Sequence, residues 1–151
     1  MSGLSASAEN NLMLLIFNNT NWANVGDAVG VRGSTVAGSF YVGLATAALT
    51  DASTQLTSES AYTGYGRQAV ARSGAGWLVS GSSPTQAANV AAITYGICIG
   101  AAPETQKYFC IGRDAAGAGE ILWWGQLTAD LIVNLGITPQ FAIGACVATL
   151  N

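Results

Sequence analysis

The chain has 151 residues, the length of one domain, and only 9% of them are charged, while Ala, Gly, Ser and Thr fill 70 positions. With no histidine, a Ser-His-Asp triad, a Cys-His pair and a His-ligated metal are excluded. A net charge of −3 and a pI near 4.5 leave no basic footprint for nucleic acid.

Ser7–Asn18 reads as a short helix: Ser5 or Ser7 can cap it, Glu9 falls in its first turn, and Leu12, Leu15 and Ile16 share a face. The run Leu12–Phe17 has no polar interruption, so the helix needs cover nearly all round, from its own sheet or from a neighbouring subunit. The run is too short to span a bilayer, and the first cation is Arg32, so neither an export signal nor a membrane anchor is expected. Residues 19–38 are rich in Gly, Asn and Val without a sustained period, as in a long connection with at most one short strand around Val29–Val31.

From Ser39 the texture changes to short β-favouring runs separated by turn clusters. The runs are Ser39–Ala45, Arg67–Arg72, Trp77–Ser80, Val90–Ile99, Lys107–Gly112, Glu120–Leu127, Leu131–Leu135 and Gln140–Leu150. They indicate an all-β sandwich or barrel, and of the two the expectation is an antiparallel, jelly-roll-like β-sandwich over 39–151, preceded by a helix and extended arm over 1–38. Gln140–Leu150 alternates between two nearly apolar faces, which predicts a central strand or one lying against another chain. Asp114–Gly119 predicts a hairpin turn. The connection Thr46–Tyr65, about 20 residues, exceeds the usual length of an unstructured loop in a compact domain and suggests a functional segment.

Few residues invite a chemical role. Cys98, Cys110 and Cys146 match no zinc spacing and no even disulfide framework, and each lies in an apolar stretch, so they are expected to be buried, reduced thiols. The acids are scattered, which disfavours a glycosidase pair, and neither a calcium loop nor a phosphate-cradling glycine motif is present. No catalytic residue, cofactor or metal site is therefore expected. Trp123 and Trp124, adjacent on one predicted strand, must point to opposite faces, which suits a doubly covered strand, a subunit interface or a glycan platform. Arg67 and Arg72 suit bidentate pairing with a carboxylate of this chain or of a neighbour.

Five blocks, in order, carry a resemblance. Phe40-Tyr-Val-Gly-Leu-Ala-Thr46, Leu49-Thr-Asp-Ala-Ser53, Gly64-Tyr-Gly-Arg-Gln-Ala-Val70, Ile121-Leu-Trp-Trp-Gly-Gln-Leu-Thr128 and Pro139-Gln-Phe-Ala-Ile-Gly-Ala145 resemble small virion proteins of tailed bacteriophages. Ala45 and Thr46 stand where that family often has Leu-His, and Gly66 replaces its Ala. The resemblance implies a structural protein of the virion, made in the host cytoplasm, with no catalytic residues to carry over. The first expectation is a capsid decoration or cement protein on the head surface, bridging major capsid subunits and copies of itself. The alternative is a tail-fibre or tail-tip protein with tail partners and a share in host attachment. Neither nucleic acid nor membrane is expected as a partner. Candidate contact residues are Leu12, Leu15, Ile16, Phe17, Trp22, Arg67, Arg72 and Trp124.

Overall fold

The computed structural model describes residues 3–82, 84–101 and 103–150. Among these the chain is mostly β, with one N-terminal helix and three antiparallel sheets of four, three and two strands. It divides into two compact units, neither of them contiguous: the first comprises the chain up to Ser39, Ala71–Ala92 and the part from Ala142, and the second comprises Phe40–Val70 and Ile93–Phe141.

In the first unit, helix α1 (Ala6–Asn18) starts at Ser5, whose hydroxyl accepts from the Ala8 amide at 3.3 Å, and stops where Asn19 turns left-handed (φ 57°). Its buried side chains are Glu9, Met13 and Phe17, one above another at a spacing of four. The expected face of Leu12, Leu15 and Ile16 is only half-buried. The helix packs on β3 (Trp77–Ser80) and β4 (Thr85–Asn89), where Phe17 meets the buried Trp77 edge-on, ring centroids 5.0 Å apart. The Glu9 carboxylate accepts from the Thr85 amide at 3.2 Å, a polar tie inside an otherwise apolar contact.

β4 lies between β3 and β9 (Val147–Leu150), with Trp77 opposite Asn89 and Thr85 opposite Leu150. The expected strand Gln140–Leu150 is thus broken into β8 (Gln140–Phe141) and β9. Gly144, at φ +75°, turns the chain between them, a conformation open to glycine at no steric cost. Buried Asn89 fixes this turn: its amide nitrogen donates to the carbonyls of Ala91 and Ala142, and its side-chain oxygen accepts from the Cys146 amide at 2.8 Å.

The second unit is built on the sheet β2-β1-β6-β7, formed by β1 (Ser39–Ala45), β2 (Gln68–Ala71), β6 (Glu104–Gly112) and β7 (Ile121–Val133). The end residues Ser39 and Ala71 of β1 and β2 fall in the first unit. The predicted hairpin joins β6 to β7. The two predicted strands Glu120–Leu127 and Leu131–Leu135 are one strand, with Thr128-Ala-Asp130 inside a bulge rather than a turn. Val42, Leu44, Phe109 and Ile111 share one face by register, and a second layer, β5 (Ile93–Thr94) paired with β8, sets Phe141 edge-on against Phe109 at 5.7 Å. On the opposite face Ala45 and Cys110 cluster with Leu49, with Tyr108 and Ile121 packed against them.

The predicted run Val90–Ile99 does not form one strand. Pairing begins earlier, in the polar and Ala-rich Thr85–Asn89, and resumes only in the short β5. The three cysteines are buried, as expected.

Candidate assembly surface

Two edges of the four-stranded sheet differ in how they are finished. On its outer side β1 is flanked by β2 and, beyond the end of β2, by the segment Thr46–Tyr65. Thr46 donates to the Ser58 carbonyl, Ser60 donates to that of Leu44, and the Leu44 amide donates to the Tyr65 hydroxyl at 3.0 Å. The long connection is therefore ordered structure laid along an edge.

Arg67 fastens it. Its Nε and one terminal nitrogen grip both oxygens of Glu59 at 2.6 and 2.8 Å, while the remaining bonds run to the carbonyls of Asp114 and Gly117 in the hairpin between β6 and β7. The Tyr65 hydroxyl also donates to Glu59. The Arg67 side chain is 1% exposed and that of Glu59 16%. Burial works against the charge on Arg67, but the hydrogen bonds and charge of Glu59 more than offset it and hold the guanidinium above its ordinary value. Burial likewise raises the Tyr65 hydroxyl well above its usual range and the neighbouring Cys110 thiol from 9.0 to about 11. Gln55 completes the fastening by accepting from the Asp114 amide at 3.0 Å, and a side chain at Gly119 would strike it. Of the two pairings open to Arg67 in the sequence, the bidentate one is made within the chain.

Arg72 serves the first unit and has no carboxylate. It donates to the carbonyls of Leu15 and Ile16 at the C-terminal end of α1 and to the Ser34 hydroxyl of the arm. A cation there satisfies orphan carbonyls and complements the helix dipole, which α1 cannot do for itself because its last turn holds no basic residue. Burial lowers the Arg72 guanidinium from its usual value.

The other edge is β7. Thr54 bridges Glu120 just before it, and from Ile121 onward β7 is the outermost strand of the sheet. Trp124 projects from it, 41% exposed. Gln106 pairs with Leu131 and Tyr108 with Gln126, so Lys107 alone faces the bulge Leu127–Asp130. Lys107 and Asp130 make a loose, exposed ion pair at 3.9 Å.

The remaining candidates lie in the first unit. Phe17 is buried in the core, and Leu12, Leu15 and Ile16 are half-buried. Trp22 is half-buried in the arm, where it exchanges backbone hydrogen bonds with Val31 in place of the short strand predicted there. Two exposed aliphatic groups escaped the sequence reading. One is Val25, Val29, Val31 and Val36 in the arm; the other is Ile97, Ile99, Leu135 and Ile137, where Cys98 exchanges backbone bonds with Gly136 and Ile137. The alternation Ile97-Cys98-Ile99, with only the cysteine inward, was a usable signal for the second. No group of potential ligands that could hold a metal occurs among the described residues, and no helix among them is long and apolar enough to cross a membrane.

What these edges and faces offer is backbone and apolar surface, the material of a structural subunit, and the match to known families is of that kind: the chain is a bacteriophage virion structural protein. Residues 3–149 match the family described as "Podophage GP4 fiber I protein gp80", and the chain belongs to that family. No curated protein matches it.

Proposed function

We propose that the chain is a non-catalytic subunit of a virion fibre, built into it through contacts with copies of itself and with neighbouring virion proteins. The observation that carries this reading is the family match, which spans 3–149 and bears a fibre protein's description. The low charge and the exposed aliphatic groups support it, since subunits surrounded by copies of one another need little charged surface. The head-decoration reading, placed first from sequence, has no comparable observation behind it. It implies hundreds of copies around the head, whereas a fibre subunit is present in tens.

Quantitative mass spectrometry of purified virions, with gold-labelled antibody to locate the chain, tests this. Tens of copies with label on fibres would support the proposal. Hundreds of copies with label over the head would replace it with the cement reading. Absence from the particle would sink both and reopen an enzymatic role.

A further inference from the structure

We draw no further inference here: the strongest candidate, the exposed aliphatic patch of Ile97, Ile99, Leu135 and Ile137 on the two loops that the backbone of Cys98 ties together, is an unpartnered apolar face, and nothing in the structure shows what covers it.

Discussion

On the β1 side of the four-stranded sheet, about twenty residues of chain, a buried ion pair and a tyrosine hydroxyl are devoted to closing an edge. On the β7 side the edge is left neutral, and an exposed tryptophan stands at its middle. Both edges present the same backbone chemistry, so the difference lies in what the side chains around them do. Glu59, Tyr65 and Arg67 satisfy one another and the backbone from within the chain, and their contribution is to folding. The side chains of Ile121–Leu127 carry no charge and lay no such cover along their edge.

The contrast breaks first at Arg67. Arg67→Ala removes the partner of a partly buried carboxylate and should cost about 3 kcal/mol or more of unfolding free energy, read by urea denaturation. Arg67→Lys, which keeps the charge but loses the fork, should recover only part of it. A loss below about 1 kcal/mol, the range of a surface ion pair, would mean that the edge is closed by the backbone alone.

The second effect is on pH. Cys110 lies under the same cover, and burial holds its thiol at about 11 in the folded chain against an ordinary 9.0. Over that interval the unfolded chain has already released the proton that the folded chain keeps. Stability is therefore full below pH 9 and falls as pH rises toward 11, by about 2 kcal/mol. The buried Tyr62, raised by desolvation from 10.0 to about 12, extends the decline upward. Cys110→Ala should flatten the lower part of the slope in denaturation curves taken at pH 8 to 11, and a slope unchanged by that substitution would remove Cys110 from the account.

Arg72 sharpens the contrast by showing a clamp without a counter-ion. Arg72→Met should cost about 1 kcal/mol and speed amide exchange in the last turn of α1, while leaving the protection of Leu44 and Ser60 unchanged. The smallest effect on the fold belongs to Trp124→Lys, at an exposed position, which should shift unfolding free energy in urea denaturation by no more than about 0.5 kcal/mol.

Much of this architecture is legible in the residues. Ser5, Glu9 and the apolar run after them announce α1, and the turn residues Asp114–Gly119 announce the β6–β7 hairpin. What could not be read depends on distant partners. Gln140–Leu150 has the alternation of one long strand, and only the bonds of Asn89 to Ala142 and Cys146 reveal the turn inside it. Thr85–Asn89 has weak strand propensity and becomes β4 because β3 and β9 flank it. Thr128-Ala-Asp130 has the composition of a turn, yet pairing with β6 on both sides holds it as a bulge. At the assembly surface, Trp124 stood out in the sequence as one of two adjacent tryptophans that cannot share a face. That β7 is an edge is a property of sheet order, which no single segment encodes.

The most direct test of the claim that Arg67 fastens the cover of β1 is amide hydrogen exchange, compared between the wild-type protein and Arg67→Ala. The account predicts that the amides of Thr46 and Ser60, which hold the cover to β1, lose protection in the variant, while those of the last turn of α1 exchange equally in both. Unchanged exchange at Thr46 and Ser60 in the folded variant would contradict it.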